Sequence, residues 1–252
     1  MEGQEVPQPK ESNTPKVVIS ESINSPECPY DVSIDVAGTV ELIRLAGVKE
    51  EDIEGLTIKI DRKPSKSRII KLLDRLAFGR SLAPAGEYSP HTRTMSIYAD
   101  SYYEDWGRHS LIESAEQILQ DPDRAGWLKT DLTSRRRLSK YLRVAPAERA
   151  RQTVQRLADI YVSRQLDSTL SHEAKHAGDD SRGELYGGPL ELIRDGAMFF
   201  FYIVTDQKNK IHRNRPLEKR AYEFANEQGK RFGLISLRTK PQSRGAGLPA
   251  KA

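Results

Sequence analysis

The chain has 252 residues, 37% of them hydrophobic and 30% charged, with a formal net charge of +4 at pH 7. Those values suit a soluble globular protein of one large domain, or one domain with an N-terminal extension, and the mild basicity selects no partner. One cysteine, Cys28, excludes an internal disulfide, and the longest apolar run, 197–204, is too short to cross a bilayer.

Residues 1–15 are rich in Pro, Gln, Glu and Ser and are expected to be disordered. The first few positions are polar and lack the apolar stretch of a secretory signal, which with the single cysteine points to a cytoplasmic location. Residues 17–20 and 32–36 read as short strands, 39–46 as a helix and 56–60 as another strand. The 66–78 segment is an amphipathic helix in which Ile69, Ile70, Leu72, Leu73, Leu76 and Ala77 are apolar. A turn and then strict alternation follow at 86–98, with Met95 and Ile97 on one face of a strand and Thr94, Ser96 and Tyr98 on the other.

Helices are expected at 110–119, 134–144 and 146–165, the last with Val154, Leu157, Ala158, Tyr161 and Val162 on one face. A helix of about three turns runs from near Asp167 to near Gly178, with Asp167 or Ser168 as its N-cap and Gly178-Asp179-Asp180 as its stop. Residues 189–205 are apolar nearly all round and predict a buried helix, and Pro216 opens another helix reaching Asn226. Strands first and a helical region after mean an α+β fold. Its expected parts are an N-terminal α/β part over 16–85, a second part over 86–237 and a disordered basic tail over 238–252. No internal repeat is visible.

The most specific pattern is His172-Glu173-Ala174-Lys175-His176. On a helix, positions four apart share a face, so both imidazoles can point at one metal ion. Glu173, one residue along, is placed to take a proton from a water on that ion. With five histidines in 252 residues, composition alone produces such a run with odds on the order of one in a hundred. The competing reading is an exposed, charged helix face. Asp179, three residues after His176, either reaches the free ring nitrogen of a ligand histidine or only decorates the helix end.

A zinc (Zn2+) site of this kind needs a third protein ligand. The metzincin pattern fails, because Arg182 stands where its third ligand would be. In the helix that begins at Pro216, Leu217, Ala221, Phe224 and Ala225 form one stripe, and Glu218 lies one turn before the small Ala221. An HExxH run followed by a second helix reading Glu-x-x-Ala resembles the gluzincin zinc metallopeptidases. The resemblance implies that His172, His176 and Glu218 are zinc ligands, that Glu173 is the general base and that peptide bonds are the substrate. Several gluzincin families carry an aspartate four residues after the ligand glutamate; here that position is Tyr222. Glu223 is the rival third ligand.

Gly86-Glu87-Tyr88, a polar turn and Met95-Ser96-Ile97 resemble the strand that precedes the motif helix in small bacterial zincins, including the minimal zincins that cleave phage repressors. That likeness implies a zincin-like fold in which this strand is the sheet edge beside the metal cleft, open to peptide by strand addition.

Other features point less sharply. His212, Arg213, Asn214, Arg215, Tyr186, Tyr202 and Tyr222 are all candidates to stabilise a tetrahedral oxyanion, and the sequence does not choose among them. Residues 134–143 carry a basic cluster that would suit nucleic-acid phosphate, or simply a solvated helix face. His91 and His109 read as ordinary surface or loop residues. No Walker loop, dinucleotide fingerprint or EF-hand loop occurs. The alternatives to a peptidase of general function are an inactive zincin-like binding module, with nucleic acid as its partner, and a proteolytic toxin or effector.

Overall fold

Alternating β-branched and polar residues make the central strands. The computed structural model describes residues 13–63, 85–105, 109–110, 132–185, 216–228 and 231–240; the expected helices at 66–78 and 189–205, and all but Ser110 of the one at 110–119, lie outside them. Strands β1 (Lys16–Ile19), β3 (Thr57–Asp61), β5 (Thr94–Tyr98) and β4 (Gly86–Ser89) form a four-stranded sheet in the order β1-β3-β5-β4. The first three are parallel, and β4 returns antiparallel to β5 as an edge. Ile58 pairs with Met95 and Ile60 with Ile97, and all four are fully buried. Strands from both sides of residue 85 therefore share one sheet.

Between β1 and β3 the chain forms α1 (Glu21–Asn24), β2 (Tyr30–Ile34), α2 (Val36–Ala46) and α3 (Glu50–Ile53). Asp35 caps α2 by accepting from the Gly38 N–H, and Gly47 ends it at φ +93°. After β5 come α4 (Asp100–Tyr103), β6 (Glu104–Asp105) and β7 (His109–Ser110), and then the helices α5 (Leu132–Val144), α6 (Ala147–Ser181) and α7 (Pro216–Gln228). The last strand, β8 (Ile235–Thr239), pairs antiparallel with β2. This strand corrects the expected tail over 238–252: Arg238 and Thr239 sit opposite Asp31 and Tyr30. At the other end, Pro15 is buried and Asn13 donates its side-chain amide to the Glu50 carbonyl, so residues 13–15, expected to be disordered, are held against the fold.

The largest departure from the sequence reading is α6. The two helices expected at 146–165 and 167–178 are one helix of 35 residues. Nothing between Gln165 and Ser168 breaks it, since neither Pro nor Gly occurs there. Asp167 is no N-cap. It is buried in mid-helix, and its Oδ1 accepts the backbone N–H groups of Leu234 and Ile235 at 3.0 and 2.6 Å. Burial pushes its carboxyl up to about 6, against the pull of those two donors. Gly178 is no stop either. A Cβ there would stand 2.1 Å from the Ala46 carbonyl oxygen, so glycine serves close helix contact, and the helix runs on to Ser181.

Leu166, Leu170, Ala174 and Ala177 make one buried stripe along α6, in a common core with Leu42, Ile43 and Ala46 of α2 and with the sheet residues named above. Full burial of each such leucine contributes about 1.5–3 kcal/mol. A smaller cluster joins α5 to the first turns of α6 through Leu138, Leu142, Ala150 and Val154.

Candidate metal centre

The stripe that fixes α6 in the core also aims its chemistry. At 100° per residue, His172 and His176 lie about 200–240° round the helix from Leu170, off the stripe that faces the core. Helix α7 packs on α6 and buries Glu218, Ala221 and Ala225. Glu218 Oε2 stands 3.0 Å from His172 Nε2 and 3.9 Å from His176 Nε2, and the two Nε2 atoms are 3.1 Å apart. Two imidazole nitrogens and a carboxylate oxygen converging so closely need a proton or a cation among them. A point equidistant from the three atoms lies about 2.0 Å from each, which is the length of a zinc–nitrogen or zinc–carboxylate bond. The donor set and its spacing therefore fit a zinc ion. For His172, burial disfavours the imidazolium, but the hydrogen bond to Glu218 and the charges of Glu173 and Glu218 outweigh it and raise the pKa.

Glu173 is not part of this triangle. It is buried beside β4, where the Tyr88 backbone N–H faces its carboxylate. Gly86 makes the approach feasible: a Cβ there would meet Thr169 Cγ2 at 2.5 Å and Glu173 Cγ at 3.2 Å. Burial pushes the Glu173 carboxyl up to about 7, with the Glu218 and Glu87 carboxylates adding to the rise and His172 and the Tyr88 N–H opposing it. The Tyr88 hydroxyl donates to Asp180 at 2.7 Å, a second tie between the edge strand and α6.

The other candidates sort as follows. Glu223, the rival ligand, points away; its side chain is 64% exposed and lies 3.8 Å from Lys219. Glu218→Ala is therefore expected to weaken zinc affinity tenfold or more in a competitive chelator titration, with Glu223→Ala near wild type. Tyr222 packs edge-on against His172, with ring centroids 4.6 Å apart, where several gluzincin families have an aspartate. Asp179 does not reach a histidine ring; its carboxylate is taken by Lys175, Arg182 and Arg220. His172 Nδ1 is buried with no hydrogen-bond partner among the described residues. His212, Tyr186 and Tyr202 lie outside the described residues. Sequence reasoning missed Lys175, Arg182 and Arg220 as a group, and no local signal marks them.

From Arg136 on, the basic cluster sits on the solvent side of α5. Arg136, Lys140 and Arg143 recur at helical spacing and are exposed, opposite the buried Leu138 and Leu142, and Tyr141 is exposed at the flank. Neither family models, curated proteins nor solved structures give a match to this chain.

Proposed function

We propose that the protein is a zinc-dependent metallopeptidase with His172, His176 and Glu218 as metal ligands and Glu173 as general base. The observation that carries this reading is the convergence of three ligand atoms within 4.8 Å of one another, two from an HExxH helix and one from a helix 46 positions on. The chemistry zinc supplies when bound is Lewis acidity, which polarises a carbonyl and lowers the pKa of a water from about 15.7 to about 7. Glu173 accepts the water's proton at its carboxylate and returns it to the leaving amine. Its pKa near neutrality, set mainly by burial, suits a group that must both take and release a proton. The β4 edge meets α6 at Thr169 and Glu173, so an extended peptide added to that edge would run past Glu173. A protein or peptide substrate and a cytoplasmic setting belong to this reading. Among the described residues, no helix is long and apolar enough to cross a membrane.

Zinc-loaded protein is expected to cut an unbiased peptide library, read as new termini by mass spectrometry. Chelation should stop the cutting and added zinc should restore it; cutting that survives complete chelation contradicts the proposal. A second reading, a binding module for nucleic acid, is favoured by the basic stripe on α5. Zinc content separates the two, because phosphate contacts by arginine and lysine need no metal.

A further inference from the structure

Asp179 is 1% exposed. Its Oδ1 accepts from Lys175 Nζ at 2.5 Å and Arg182 Nη2 at 2.7 Å, and its Oδ2 accepts from Arg220 Nε at 3.2 Å. Burying a carboxylate so deeply is costly unless it is paired and hydrogen-bonded, and these three side chains supply the pairing. The three cations come from three places. Lys175 lies one turn back on α6. Arg182 follows the end of α6 and also donates to the Ala46 and Gly47 carbonyls, so it ties α6 to the end of α2. Arg220 belongs to α7, 41 residues along the chain, and donates again to the Glu184 carbonyl.

The Arg220 arm bears on the metal centre because α7 also carries Glu218. A metal site tolerates donor errors of only about 0.2 Å, whereas a one-residue slide between two helices moves their side chains by about 1.5 Å. One contact between helices lets them pivot; a second, made well along α6 and from a different side of α7, resists both slide and pivot. His172–Glu218 is one such contact, and Asp179–Arg220 is another about 10 Å further along α6. We propose that Asp179 and Arg220 form a positioning strut that sets α7 against α6 and so holds Glu218 Oε2 at the two histidine nitrogens. The strut rests on the metal reading of those three side chains. Arg182, by contrast, serves the fold through α2.

Competitive chelator titration of the full chain tests this, beside the thermal midpoint of the metal-free protein. Asp179→Asn and Arg220→Gln are each expected to weaken zinc affinity about tenfold or more. The double variant should be no weaker than Asp179→Asn alone, because both changes remove one interaction. Arg182→Gln should lower the metal-free midpoint through its lost contacts with α2 and weaken zinc affinity less than Arg220→Gln does, because it leaves the α6–α7 contact in place. Wild-type affinity in Arg220→Gln, or losses that add in the double variant, would overturn the strut. Glu218→Ala serves as the control: if it loses affinity while Arg220→Gln does not, the strut alone fails. If Glu218→Ala binds zinc like wild type, or wild type binds none, the metal reading fails and takes the strut with it.

Discussion

Replacing Glu173 by glutamine is expected to leave zinc bound and to lower peptide hydrolysis by a factor on the order of 10² or more. Glutamine keeps the size of the side chain and an oxygen for the Tyr88 N–H, so the contact with β4 survives. It cannot accept a proton as a carboxylate does. The three ligand atoms come from His172, His176 and Glu218, so the exchange leaves the donor set intact. With the Glu173 carboxyl pushed up to about 7 by burial, hydrolysis should also fall as pH is lowered through that range, because the group then already holds the proton it must take. Full hydrolysis by Glu173→Gln, measured beside its zinc content, would exclude Glu173 as the base.

Gly178→Ala is expected to destabilise the protein by about 1–3 kcal/mol, the usual range for overpacking. The sign is the point of interest. Alanine in a helix interior ordinarily gains about 1 kcal/mol over glycine. Here the added Cβ would lie 2.1 Å from the Ala46 carbonyl oxygen and 2.7 Å from its carbon, and backbone has no rotamer to yield. Parting the two helices would loosen Ala46 and Ala177 in the core and pull Arg182 from the carbonyls it caps. A thermal midpoint lower by roughly 2–10 °C is expected. A midpoint at or above that of wild type would show that the close contact does not constrain the fold.

These two glycine and glutamate positions illustrate what local sequence conveys and what it hides. Helical spacing alone put both histidines on one face, and the small Ala221 marked the α7 face that meets α6; the structure brings Glu218, and not Glu223, to the histidines. The strand at 94–98 was legible because half-buried and buried positions alternate through Ile97. The mixed α+β character followed from the order of those patterns.

Other features were misread because tertiary partners overrode local chemistry. Asp167 and Ser168 have the chemistry of an N-cap, but the Asp167 carboxylate is taken by two N–H groups at the start of β8, and the helix passes straight through. Gly178 looks like a helix stop, yet it answers to Ala46, more than a hundred residues earlier in the chain. The alternation Ile235-Ser236-Leu237 was hidden by the basic, glycine- and proline-rich composition that follows it. The partners of Asp179 were illegible for a similar reason: Arg220 meets it only once α6 and α7 have packed.

The zinc content of the purified 252-residue chain tests the proposed centre most directly. A chain of this length can bury a core without metal, so metal-free variants remain comparable with wild type. After zinc loading at neutral pH and exhaustive dialysis, wild type should retain one zinc per chain, and His172→Ala or His176→Ala should retain none. Wild-type protein that stays metal-free under those conditions would contradict the assignment of His172, His176 and Glu218 as a zinc centre.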